Sequence, residues 1–423
     1  LGVLAGALSI TTLTSAQETM TISDWAKPTI SHGSRFGIYP FEWHYDNFNQ
    51  EITLDKFEML LNNVAIKLDN PTYTADINQM SLTRENILNS LYQTISIYDS
   101  LNDTQTGVEY FVQNGLIQGD GTDLRLNDIA TTEESVVFAT RLIEQVQDVL
   151  EKSTKGVAWE IRHNDNTAYL FGVVHLGPAD LFPINADIRD AYYNSDYLVL
   201  ETTGLSEETA QKYMEIMSIS EGTIADYISV EMYDKLLEVC ELYSLPLEVA
   251  NQIKPYFLAS ELGTAYINMT GEISSQYGTD AFFIEQAMFD NKPILELEDV
   301  LDYKFDDLPQ QYVEDSLSLA LDMLLNPSKF VGSNDEFLEV VKYYIQGDLE
   351  TFSELAKVMD DPTAMSVLYG ERDQNMAEEI DKLLQQEGEN TYFIAVGAGH
   401  YVVDDNILDR LEDMGYEILD FYN

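Results

Sequence analysis

Two stretches of this chain end in the same chemically able pattern. Ala168-Tyr-Leu-Phe-Gly-Val-Val-His175 and Tyr392-Phe-Ile-Ala-Val-Gly-Ala-Gly-His400 are apolar runs that each close on Gly-x-x-His, in a chain with five histidines. Two further apolar runs, Tyr197-Leu-Val-Leu-Glu201 and Pro293-Ile-Leu-Glu-Leu-Glu298, end on acids. Imidazole nitrogens and carboxylate oxygens are the donors of a catalytic divalent metal that keeps positions open for water. If the strands carrying His175, Glu201 and His400 are neighbours, two imidazoles and one carboxylate converge. The chemistry then on offer is metal-assisted hydrolysis, with the metal acidifying water and polarising a carbonyl while a carboxylate takes the proton. A lone histidine in such a place would more often satisfy backbone groups at a strand end, and it is the matched pair that argues for one shared site. Gly172, Gly397 and Gly399 are expected to let the backbone turn sharply at the strand ends and bring the rings close without a Cβ in the way.

The elements that must position these residues are strands separated by helices. Uninterrupted apolar strands of this kind predict a mainly parallel sheet covered by helices on both faces, with functional groups gathered beyond the carboxyl ends of the strands. Trp159-Glu-Ile-Arg162 and Thr167-Ala-Tyr-Leu-Phe171 flank the turn residues His163-Asn-Asp-Asn166, so a hairpin opens this α/β domain, placed at 157–423. A helical pattern broken at Pro246 and Pro255 predicts a helical insertion, or cap, over about 205–270. Cys240 lies within an amphipathic run of that insertion and reads as a small buried hydrophobe. A small all-α domain is expected to precede, over 20–151, built from repeats of helix, Gly-aliphatic pair, turn and Thr-capped helix, with Thr53, Thr83 and Thr131 starting helices.

Composition removes some functions and favours others. With 74 acidic residues against 22 basic ones the net charge is −52, a surface that repels nucleic acid and anionic membranes. No later run is apolar for long enough to span a bilayer, so no integral membrane segment is expected. Residues 1–16 read as the remnant of a signal peptide with cleavage after Ala16, which predicts a secreted, extracellular or cell-wall-associated bacterial protein. A single cysteine excludes an intrachain disulfide, and stability must come from packing.

Two resemblances extend this reading. The repeats before residue 151 resemble the S-layer homology modules of bacterial surface proteins, which implies a cell-wall polymer as partner. Only Thr83-Arg84-Glu85 keeps the arginine of the binding motif, while Thr53-Leu54-Asp55 and Thr131-Thr132-Glu133 lack it, so an anchor and a purely structural domain both remain open. From Val157 onward, Trp159-Glu-Ile, Tyr169-Leu-Phe-Gly-Val-Val-His175-Leu-Gly-Pro, Tyr197-Leu-Val-Leu-Glu201, Lys254-Pro-Tyr, Tyr277-Gly-Thr-Asp280, Lys292-Pro-Ile-Leu-Glu-Leu-Glu298, Glu371-Arg-Asp-Gln-Asn375 and Val396-Gly-Ala-Gly-His400 follow in the order of the TraB/GumN family, which is related to the Tiki metalloproteases. The resemblance implies a divalent-metal-dependent, peptidase-like hydrolase acting on a peptide or protein, with Mn²⁺, Co²⁺ or Zn²⁺ held by His175, Glu201 and His400. Glu201, Arg372 and Asn375 are the catalytic candidates it implies, Arg372 stabilising an oxyanion or gripping a carboxylate. Asp280 and Glu298 either support the ligands, cap a helix or line a solvated edge. Val173 stands where the family commonly has threonine. The competing reading is a binder of the same fold that sequesters peptide without cleaving it.

Overall fold

The computed structural model describes residues 22–101, 104–119, 123–204, 206–332, 334–356 and 361–422. The expected signal-peptide remnant at 1–16 lies outside the described residues. The chain divides into two compact units, one running to Thr154 and including Ala179–Asp187, the other made of Lys155–Pro178 and the chain from Ile188 onward.

In the first unit four helices start at threonines. Thr53, Thr83, Thr106 and Thr131 take extended backbone and accept from the amide three residues on, and Thr106 and Thr131 complete capping boxes with Glu109 and Glu134. The longest of these helices, Thr132–Val149, buries Val136, Val137, Phe138, Leu142, Ile143 and Val146. Arg84, the one arginine kept in the module-like motif, is buried. It pairs with Glu134 and donates to the carbonyls of Leu124 (3.0 Å) and Gln118 (3.3 Å), so its fork is spent within the unit.

In the second unit, six strands among the described residues form one sheet: β1 (Val157–His163), β2 (Asn166–Val173), β3 (Tyr197–Leu200), β4 (Ile294–Glu296), β5 (Thr391–Gly397) and β6 (Ile418–Asp420). Their order across the sheet is β4-β3-β5-β2-β1-β6. The hairpin is present, β1 and β2 pairing antiparallel from Val157 opposite Gly172 to His163 opposite Asn166. Asn164 adopts positive φ in the two-residue turn, a conformation that asparagine tolerates. The pairs β2/β5, β5/β3 and β3/β4 are parallel, while β6 adds to β1 antiparallel at the edge. The sheet is thus mostly parallel, as the uninterrupted apolar runs require. Successive side chains of β5 alternate between faces, and Tyr392, Ile394 and Val396 on one and Phe393 and Ala395 on the other are all buried. On the phenylalanine face, Phe283 from helix Thr279–Asp290 packs on Phe393 with ring centres 4.6 Å apart and on Phe171 at 5.5 Å.

The helical insertion forms with Glu207–Met217, Val230–Tyr243, Leu247–Ala250 and Pro255–Thr270. It has a core of its own, in which Leu236, Val239, Leu258 and Leu262 meet Leu317, Leu321 and Leu324 of helix Gln310–Leu325. Cys240 is buried in that core, as its place in the amphipathic run implies. Among the described residues no helix is long and apolar enough to cross a membrane.

Candidate active site

The sheet order makes the strands that carry the two histidines and Glu201 immediate neighbours. β3 ends at Leu200, β5 at Gly397 and β2 at Val173, all running in one direction, so Glu201, His400 and His175 emerge side by side beyond their carboxyl ends. The distances define one centre. A Cβ built on Gly397 would lie 3.0 Å from Glu201 Oε1, 3.3 Å from His175 Nε2 and 3.6 Å from His400 Cδ2. His400 Nε2 is 3.7 Å from Glu201 Oε2. Gly397 is glycine for want of space. Neither it nor Gly172 or Gly399 has positive φ, so the sharp turn expected at these glycines is replaced by close approach. A Cβ at Gly172 would meet Val157 at 2.5 Å, and one at Gly399 would meet the Tyr369 hydroxyl at 2.7 Å.

Each imidazole is fixed from behind by a carboxylate. His175 Nδ1 is 2.8 Å from Asp280 Oδ2, and His400 Nδ1 pairs with Asp373 Oδ1. A carboxylate only accepts, so it selects the Nδ1–H form of each ring and leaves Nε2 toward the centre. Asp280 is the second residue of helix Thr279–Asp290, where the helix dipole favours an anion. That helix start is tied to the His175 loop, since Val174 N–H donates to Thr279 Oγ1 (3.0 Å) and Thr279 N–H to the Val174 carbonyl (2.9 Å). Val173 itself is buried in the sheet.

Glu201 is held on both oxygens. Gly397 N–H donates to Oε1 (2.6 Å) and Arg372 Nη2 to Oε2 (3.0 Å). Arg372 is buried, and its remaining donors reach Glu298 Oε1 (3.0 Å) and Oε2 (2.7 Å) and the Leu368 carbonyl (3.0 Å), with Tyr303 stacked 4.5 Å beneath the guanidinium. The carboxylates that Arg372 holds in this structure are Glu201 and Glu298 of the chain itself. Glu298, expected at a strand end as a supporting residue, is the second of them.

The electrostatics follow from this packing. Burial works against the His175 imidazolium, but Asp280, helped by Glu201, outweighs it and carries its pKa up to about 9. Burial would likewise raise Glu201, yet His400, Arg372 and His175, with the Gly397 amide, bring it down to about 2. Burial pushes Asp373 above the usual carboxylate range against the pull of His400.

One expected site residue is elsewhere. Asn375 is exposed on the outer side of helix Glu371–Leu384, whereas Arg372, Asp373, Met376 and Ile380 of the same helix are buried. Asp373, on the buried side of the same helix, is the residue that pairs with His400. Helical spacing held the signal, because positions 372, 373, 376, 377, 380 and 384 form one stripe and 375 does not.

Among the described residues no group of three His, Cys, Asp or Glu side chains already stands arranged to hold a metal ion. The donor chemistry nevertheless fits a divalent cation. Two imidazoles backed by carboxylates and one ionised carboxylate share a centre, and Asp280 Oδ1 and Asp373 Oδ2 are buried without a hydrogen-bond partner, an excess of negative charge that a cation would offset.

A stretch of 76 residues is 30% identical to the Danio rerio protein named Metalloprotease TIKI2, covering 18% of this chain and 15% of that protein. No solved structure matches. The TraB/PrgY/gumN family model matches residues 157–419, the whole span from β1 into β6, and the chain belongs to that family.

Proposed function

We propose that this protein is a divalent-metal-dependent hydrolase of peptide bonds, with His175, His400 and Glu201 as the metal-holding residues. The observation that carries the proposal is the meeting of His175 Nε2, Glu201 Oε1 and the His400 ring within 3.6 Å of one point above Gly397. The name of the zebrafish relative supports the metal and the peptide substrate. When bound, Mn²⁺, Co²⁺ or Zn²⁺ supplies Lewis-acid polarisation of a carbonyl and acidifies water.

The chain's own residues do the rest. Asp280 and Asp373 keep both rings in the ligating tautomer and stop them rotating. Glu201, with a pKa near 2, is matched to holding a cation and is a poor proton acceptor near neutrality. Arg372 is a positioning residue, fixing Glu201 and Glu298 together without reaching past them. The test is metal stoichiometry joined to cleavage. The purified protein is expected to bind about one Mn²⁺ per chain, and His175→Ala and His400→Ala are each expected to abolish binding and peptide cleavage followed by mass spectrometry. Unchanged stoichiometry in both variants refutes the assignment, and metal-loaded protein that retains a peptide uncut favours sequestration instead.

A further inference from the structure

Tyr369 is left unexplained by the metal-holding set, although it lies against it. It sits in a single π-helical turn, Ser366–Gly370, immediately before Arg372 and Asp373, and such turns recur at functional positions because they re-aim a side chain within a helix. Its ring meets the His400 ring edge-on with centres 4.9 Å apart. Its hydroxyl occupies the place where a side chain on residue 399 would go, 2.7 Å from the position of a Cβ there, so Gly399 is what admits it. The neighbouring tyrosines are committed otherwise. Tyr303 donates to Glu298 at 3.1 Å, and Tyr401, whose hydroxyl also has no hydrogen-bond partner, is fully buried with its ring against Trp159 and closed off from a substrate. Tyr369 is half-buried, and no hydrogen bond of its hydroxyl occurs among the described residues.

The geometry points to Tyr369 as a substrate-contacting catalytic residue, whose hydroxyl donates a hydrogen bond to the carbonyl oxygen of the scissile amide as that oxygen gains negative charge. This rests on the reading of the centre as a metal-dependent hydrolytic site. Arg372 is committed to this chain's own acceptors, its Nε and Nη2 donating to Glu298 and Glu201 and its Nη1 to the Leu368 carbonyl. A phenol ordinarily ionises only near pH 10, so the hydroxyl is able to donate at neutral pH. A fixed neutral donor aimed at a developing oxyanion strengthens only as the charge forms, and losing one such donor costs roughly 100-fold or more in turnover elsewhere.

The experiment uses the full chain loaded with Mn²⁺ and titrated calorimetrically with a phosphinic dipeptide, a tetrahedral anion that stands for the hydrated amide. Tyr369→Phe is expected to bind Mn²⁺ as the wild type does but the phosphinic dipeptide roughly 10- to 100-fold more weakly. Gly399→Ala keeps the phenol but drives a methyl into its hydroxyl, and is expected to show the same loss with Mn²⁺ binding intact. Equal probe affinity in the wild type and both variants overturns the role of Tyr369 and leaves the metal centre standing. Loss of Mn²⁺ in Tyr369→Phe also overturns it, by making the tyrosine a support for the metal site. Failure of the metal-loaded wild type to bind the probe overturns the hydrolytic reading itself and this inference with it.

Discussion

Gly397→Ala tests the proposed centre without removing any ligand. The added methyl would stand 3.0 Å from Glu201 Oε1 and 3.3 Å from His175 Nε2, both tighter than ordinary contact. Neither neighbour yields easily. Glu201 is pinned by the Gly397 amide at 2.6 Å and Arg372 at 3.0 Å, and His175 by Asp280 at 2.8 Å. Overpacking of a fixed core of this kind costs about 1–3 kcal/mol, so the metal-free variant should unfold at lower denaturant concentration by that margin. The larger effect falls on the metal, because the methyl occupies the face that the three side chains share. A loss of affinity of at least roughly 100-fold, about 2.7 kcal/mol, is expected in calorimetric titration with Mn²⁺. Gly399→Ala is the control, since the nearest atoms its methyl meets belong to Tyr369. If Gly397→Ala binds Mn²⁺ within about threefold of wild type, itself only about 0.7 kcal/mol, the centre does not lie where His175, Glu201 and His400 meet.

Three further outcomes follow from the same geometry. Asp373→Ala leaves His400 Nδ1–H buried without its partner and should weaken Mn²⁺ binding roughly 10- to 100-fold, whereas Asn375→Ala on the outer side of the helix should leave it unchanged; equal effects would contradict the placement of the two residues. Arg372→Ala strands Glu201 and Glu298 as buried carboxylates and should destabilise the protein by about 3–5 kcal/mol in chemical denaturation, with no rescue by Arg372→Lys, which cannot reproduce the fork. The folded-state pKa of His175, about 9, lies above its unfolded value of 6.5, so its stabilising contribution is complete below pH 6.5 and fades as pH rises through 9. Denaturation of the metal-free protein across that window should show a loss of up to about 3 kcal/mol that His175→Gln abolishes, and Mn²⁺ affinity should climb with pH as the competing proton leaves. A flat profile in both measurements would sink the His175–Asp280 pairing.

What the sequence determined was whatever local pattern and chain order encode. Unbroken apolar runs such as Tyr392–Val396 can be stable only when covered on both faces, which is why a mainly parallel sheet was legible. Asn164-Asp165 between two alternating segments specified the hairpin, and Thr53, Thr83 and Thr131 marked helix starts because their hydroxyls replace a missing backbone partner. The histidine pair and Glu201 stand out as candidates in the sequence because strand ends concentrate functional groups. Tertiary structure alone decided the rest. Strand order is a long-range choice, and only the sequence β4-β3-β5-β2 turns three separate strand ends into one centre. It also decided who supports whom, since Asp280 lies 105 residues from His175 and Arg372 171 residues from Glu201. A helix presents one stripe inward, and that geometry chose Asp373 over Asn375. The glycines of the two Gly-x-x-His motifs were visible from the start, but their reason was not. A sequence shows that a side chain is missing, and only the packed structure shows that at Gly397 and Gly399 the space is filled by Glu201, His175 and the hydroxyl of Tyr369.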